Sequence, residues 1–138
     1  MTLLRALSFS FLVLAGCAAA APVGGDASSP DAPAAVLGSV SVRDLQAALP
    51  NKDFLLVNVH VPREGQIPGT DAHLRYDDPA AIAAFIGADR ARKVVVYCRS
   101  NSMSTQAGQK LAAMGYRSVR YVDGGMGAWQ AAGYTLEP

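Results

Sequence analysis

The sequence predicts an α/β domain with a mainly parallel central sheet and helices on both faces. Three short apolar runs, FLLVNV (54–59), KVVVY (93–97) and SVRYV (118–122), have the length and β-branched content of strands. The segments between them carry helical spacing and caps, so successive strands are joined by crossovers, as parallel strands require. The length of 138 residues, with 51% hydrophobic content, suits one compact domain and is too little for two.

Each element has a local reason. SVRD (41–44) fits a capping box with Ser41 as N-cap and Asp44 three residues on, Leu45, Ala48 and Leu49 give that helix an apolar face, and Pro50-Asn51 stop it. The first strand, FLLVNV, leads into HVPREGQIPGTDAH (60–73), a loop punctuated by Pro and Gly. DDPAAIAAFIG (77–87) starts a second helix with Asp78 as N-cap and Pro79 at the first helical position, and Gly87 ends it. After KVVVY, Ala107, Leu111 and Met114 recur at helical spacing until Gly115. The strand SVRYV is followed by a short helix in DGGMGAWQAAGY (123–134), with Gly124-Gly125 as its turn and Trp129 packing it on the sheet; Asp123 either caps this helix, the favoured reading, or, lying at another strand end, borders the active-site mouth.

Three stretches divide the chain. Residues 1–16 combine a positive start at Arg5, an apolar stretch from Ala6 to Leu14 and small residues before Cys17, the layout of a secretory signal. Leu14-Ala15-Gly16-Cys17 resembles the bacterial lipobox, which implies cleavage before Cys17 and lipidation of that cysteine. Acyl chains contribute about 0.8 kcal/mol per buried methylene, enough for stable attachment when more than one is present. Residues 17–37 then comprise the lipidated cysteine and a flexible linker of Ala, Pro, Gly, Ser and Asp, and residues 38–138 the folded domain. The expected location is the bacterial cell envelope, lipid-anchored and extracytoplasmic, on the periplasmic side if the cell is Gram-negative.

Net charge excludes one class of partner. Twelve Lys and Arg balance eleven Asp and Glu, and the basic residues are scattered, so there is no electrostatic footprint for nucleic acid. The cluster Arg90, Arg92 and Lys93 reads as a solvated turn.

The chemistry centres on YCRSNSMS (97–104). Ligands of open α/β folds bind at the carboxyl ends of the strands, and Cys98 lies one residue past such an end, with a helix starting shortly after. Amides curling toward a thiol at a helix N-terminus favour thiolate, with Arg99 adding positive potential; a free thiol ordinarily titrates near ~8.5. A small hydrophobe capping the core is the equally simple alternative. Arg63 and Glu64, in the loop before Ile67-Pro68-Gly69, either line the pocket or are solvated, with solvation the default reading.

FLLVNVHVP before Ile67-Pro68-Gly69, VVVYCRS, and YVDGGMGAWQAAGY stand in an order and spacing that resemble the rhodanese family of sulfurtransferases, over about residues 38 to 138. The resemblance implies a single rhodanese-like domain in which Cys98 is the catalytic nucleophile. It takes a sulfane sulfur from a small anionic donor such as thiosulfate, becomes a persulfide, and passes the sulfur to cyanide, a small thiol or a protein acceptor. Arg99, Ser100, Asn101, Ser102 and Met103 are the expected substrate-binding residues, through their backbone amides; no cofactor and no metal are expected. One cysteine suffices, because the intermediate is a persulfide and not an intramolecular disulfide.

Several positions depart from the family. Asn101 replaces a common glycine, Met103 stands where a basic residue is frequent, and Asn58-Val59-His60 stand for the usual Asp-Val-Arg. Asn58 and His60 are read as structural hydrogen-bonding residues of the loop. Ser104 occupies the position, six after the cysteine, where a related phosphatase needs Arg, which disfavours phosphate chemistry. The remaining alternative is a non-catalytic rhodanese-like interaction module at the membrane surface.

Overall fold

The computed structural model describes residues 37–138. The signal, lipidation and linker expectations concern residues up to 36, which lie outside the described residues. Chain order is β1 (Gly38–Val40), α1 (Val42–Ala48), a short 3-10 turn (Leu49–Asn51), β2 (Leu55–Asn58), β3 (Ala72–His73), α2 (Pro79–Ile86), β4 (Val94–Tyr97), α3 (Ser102–Ala113), β5 (Val119–Val122) and α4 (Gly125–Ala131). The five strands form one sheet in the order β1-β5-β4-β2-β3, all neighbours parallel.

This order decides which helix covers which face. From β2 to β4 to β5 the chain steps in one direction across the sheet, whereas β1 to β2 steps back the other way. Right-handed crossovers then put α2 and α3 on one face and α1 on the opposite one. Accordingly, Ile82 and Ile86 of α2 and Ala107 and Leu111 of α3 bury against Val57, Val94, Val96 and Val119. On the other face, Leu45 of α1 and Met126 and Trp129 of α4 bury against Leu56, Val95 and Val122. Strand β4 is central and buried at every position, which is why VVVY shows no polar alternation.

Local signals act where expected. Ser41 caps α1 by accepting the Asp44 amide at 3.1 Å, and Asp78 caps α2 by accepting the Ala81 amide at 3.0 Å. Two edge elements add to the sequence expectation. Leu37-bordered β1 and the two-residue β3 inside the 60–73 loop are too short to leave a periodic pattern, and they are specified by pairing with β5 and β2. Asp123 does not cap α4: the N-cap is Gly124, whose left-handed φ of 72° suits glycine and which has no side chain to cap with. Among the described residues no helix is long and apolar enough to cross a membrane.

One buried polar network ties the sheet to the IPG turn. The Tyr97 hydroxyl accepts the Ile67 amide at 2.9 Å and lies 2.7 Å from the Thr70 hydroxyl. Thr70 spends its proton on the Ile67 carbonyl, so Tyr97 donates to Thr70. Burial pushes the Tyr97 phenol above its usual range, which keeps that donated proton in place. Tyr97→Phe strands the buried Ile67 N–H, and urea denaturation is expected to show a loss of about 1–3 kcal/mol.

Candidate active site

Strand parity aims the cysteine. Along β4, Val94 and Val96 face α2 and α3 while Val95 and Tyr97 face α1 and α4, so Cys98 continues the first series and belongs to the α3-side core. Its thiol is 1% exposed. It is therefore both of the things its sequence context allowed: a buried apolar neighbour of Val59 and Met103, and the first residue of a loop entering a helix N-terminus.

The loop is shaped from outside by α4. The first turn of α4 donates two amides into it, Met126 N–H to the Cys98 carbonyl and Gly127 N–H to the Arg99 carbonyl, each at 2.9 Å. A trans peptide points its N–H opposite its C=O, so fixing these carbonyls toward α4 turns the Arg99 and Ser100 amides to the other side. The Asn101 carbonyl is likewise occupied, by the Thr105 amide and by the Ser104 and Thr105 hydroxyls. The backbone amides of Arg99, Ser100, Asn101, Ser102 and Met103 donate to no group among the described residues. Unpaired amides curled over a helix start form an anion-binding concavity.

The loop side chains divide by role. Asn101 donates to the Asp123 carboxylate at 2.9 Å and accepts the Gly124 amide at 2.8 Å, so its side chain braces the loop against the β5–α4 turn. Asp123 thus borders the cysteine loop, the second of its two sequence readings, and not the favoured cap. Ser100 and Ser102 are exposed or nearly so, and Met103 is half-buried against the cluster that holds Cys98. Ser104 is fully buried, accepts from the Cys98 thiol at 3.5 Å and donates to the Asn101 carbonyl at 3.1 Å.

The 60–73 loop brings a second group of residues. Register sets Asn58 beside Tyr97, which carries His60 alongside the start of the cysteine loop. Asn58 is fully buried; it accepts the His60 amide at 2.9 Å and donates to the Gly65 carbonyl at 2.9 Å, the structural role expected of it. His60 Nε2 donates to Glu64 at 3.2 Å, and its buried Nδ1 meets no partner among the described residues. His73 Nε2 donates to the His60 carbonyl at 2.6 Å. Glu64 also accepts from the Arg99 guanidinium at 2.8 Å, so this carboxylate, exposed as expected from sequence, is in addition paired across the site. A contact 35 residues apart in the chain leaves no local signal.

Among the described residues no group of three or more His, Cys, Asp or Glu side chains is placed to hold a metal ion. A groove of about 550 Å³ opens at the amino ends of β4 and β5, lined by Leu45, Phe54, Val95 and Arg120 among others. It lies at the opposite strand ends from Cys98, and the cysteine loop is the better site because nucleophile and amides converge there.

The Rhodanese-like domain family matches residues 36–132. No curated protein matches the chain significantly. Among solved structures, a Rhodopseudomonas palustris protein of unknown function, described as a possible tyrosine phosphatase, is 24% identical over 73% of this chain and 85% of that one, with a TM-score of 0.60. A rhodanese-related protein from Thermoplasma volcanium is 22% identical over 72% of this chain and 96% of its own, TM-score 0.57. An NAD-dependent persulfide reductase from A. fulgidus is 23% identical over 67% of this chain but only 16% of its own, TM-score 0.55. At these identities the likenesses show the fold.

The α4 clamp has a steric requirement. A Cβ on Gly125 would stand 2.2 Å from the Cys98 carbonyl oxygen and 2.6 Å from that of Ser100, with φ at +54°. Gly125→Ala is expected to destabilise the domain by about 1–3 kcal/mol in urea denaturation and to slow every covalent reaction of Cys98, because relief of the clash moves the loop.

Proposed function

Because the chain belongs to the rhodanese-like domain family, we propose that it is a sulfurtransferase in which Cys98 carries sulfane sulfur as a persulfide. The observation that carries this reading is the convergence of one buried thiol and five unpaired loop amides at the carboxyl end of the central strand. The Cys98 sulfur attacks the outer sulfur of a small donor, of which thiosulfate is the simplest. A Cys98 Sγ–S bond forms, the donor's S–S bond breaks, and the electron pair leaves with the remaining fragment, sulfite in the case of thiosulfate. A thiol or cyanide then attacks the outer sulfur of the persulfide and restores Cys98. No outside oxidant or reductant is consumed.

The site's own groups support each half of this cycle. Negative charge on the transferred sulfur falls where the Arg99 to Met103 amides and the α3 N-terminus can meet it. Ser104 accepts from the thiol, and by rotating its hydroxyl it can donate to the same sulfur once that sulfur is negative. Burial of the thiol shields the persulfide from bulk oxidants and admits a donor by its terminal sulfur alone. The A. fulgidus neighbour handles persulfides by its description, which is consistent with sulfur chemistry on this fold.

The reading extends to location. A signal at residues 1–16 and lipid on Cys17 would tether the domain at the outer side of a bacterial membrane. Bacterial cells expressing the full chain are expected to hold it in the detergent phase on partitioning, and Cys17→Ser is expected to move it to the aqueous phase. Retention of Cys17→Ser in the detergent phase would overturn the lipid anchor.

Intact-mass measurement after incubation with sulfur donors tests the reaction. Wild type is expected to gain 1 sulfur that cyanide removes, and Cys98→Ser to gain none. Absence of a cyanide-removable sulfur with every donor would favour a non-catalytic binding module.

A further inference from the structure

We propose that Glu64 is a specificity-determining residue, turning the Cys98 site away from dianionic donors and toward hydropersulfides, R–S–SH, with an uncharged R group. The inference rests on the sulfurtransferase reading above and concerns which donor that site accepts.

Charge at the mouth of the loop is the basis. Between Cys98 and Ser104 the only charged side chain is Arg99. Its guanidinium is held at 2.8 Å by Glu64, and Asp123 is held against the same loop by Asn101 at 2.9 Å. Arg99 is therefore paired with one carboxylate, and a second, Asp123, borders the same loop. Met103 adds an apolar side chain packed on the cluster that holds Cys98, while Ser100 and Ser102 add no charge of either sign. The helix start and loop amides offer about half a positive charge, with their hydrogen bonds, which matches the single charge developing on the transferred sulfur. They do not also match a second, permanently ionised group on the donor.

The ion pair itself is exposed, with Arg99 68% and Glu64 41% accessible, so it adds little to stability. Its effect on donors does not need such strength. A second contact, from His60 Nε2 at 3.2 Å, helps hold the Glu64 carboxylate beside the cysteine loop. A carboxylate within a Debye length of about 10 Å repels a dianion twice as strongly as a monoanion.

The favoured step balances as Cys98–SH + R–S–SH → Cys98–S–SH + R–SH. The new bond joins Cys98 Sγ to the donor's outer sulfur, the donor's S–S bond breaks, and the Cys98 proton ends on the departing thiol.

The test is the ratio of two loading rates, thiosulfate against an uncharged alkyl hydropersulfide, followed by intact mass on the full-length chain in mild detergent. Cys98→Ser is the background, and thermal melting checks that each variant is folded. Glu64→Gln is expected to raise the thiosulfate-to-hydropersulfide ratio about three- to tenfold at low salt, with the gain shrinking as ionic strength rises. Glu64→Asp is expected to keep the wild-type ratio. An unchanged ratio in Glu64→Gln, or a gain that salt does not reduce, overturns the inference while leaving the sulfurtransferase reading intact. If neither donor loads Cys98, the sulfurtransferase reading falls and the inference with it.

Discussion

Two backbone hydrogen bonds from the start of α4, to the carbonyls of Cys98 and Arg99, are the constraint on which the site depends. A loop leaving a parallel strand could close on itself by pairing its own amides and carbonyls. Here the carbonyls are taken from outside, so the amides have no internal partner and stay available. The approach is close enough that position 125 has no room for a side chain, and the left-handed backbone at Gly124 and Gly125 starts α4 at the necessary angle. Asn101 reinforces the same junction through Asp123 and Gly124. The helix that follows the last strand is thus as much a part of the nucleophile's loop as the residues beside it in sequence.

A second layer of contacts governs charge and access. Glu64 links His60 on one side to Arg99 on the other, and the loop that presents it is itself held by the chain's end. Gln66 and Glu137 exchange backbone hydrogen bonds at 2.9 and 2.8 Å, and Arg63 donates to the Pro138 carbonyl at 3.3 Å. Trp129 fixes the same tail, donating from its indole to the Thr135 carbonyl at 3.0 Å and packing on Tyr134. The position of a single carboxylate over the cysteine loop therefore rests on α4, the tail and the IPG turn together. These contacts are individually weak, and their geometry depends on the packed core beneath them.

Residues whose roles are set by neighbours in sequence were legible from it. Ser41 and Asp78 cap their helices, Asn58 satisfies a local amide and carbonyl, and the apolar run 93–97 forms a strand. Residues whose roles are set across the fold were not. Glu64 reads as solvated because nothing near it is basic except Arg63, yet its partner is 35 residues away. Asp123 reads as a helix cap because the dipeptide after it suits a turn, but that turn is left-handed and releases the carboxylate to Asn101.

What the sequence by itself determined was the alternation of strand and helix and the place of Cys98 one residue beyond a strand end. Those follow from periods of 2 and 3.6 residues and from caps, all local properties of the chain. Only the tertiary structure decided which backbone groups the cysteine loop leaves unpaired and which charges stand at its mouth. Both depend on α4 and the 60–73 loop converging from distant parts of the chain, and closure of that kind is written in packing, not in any stretch of neighbouring residues.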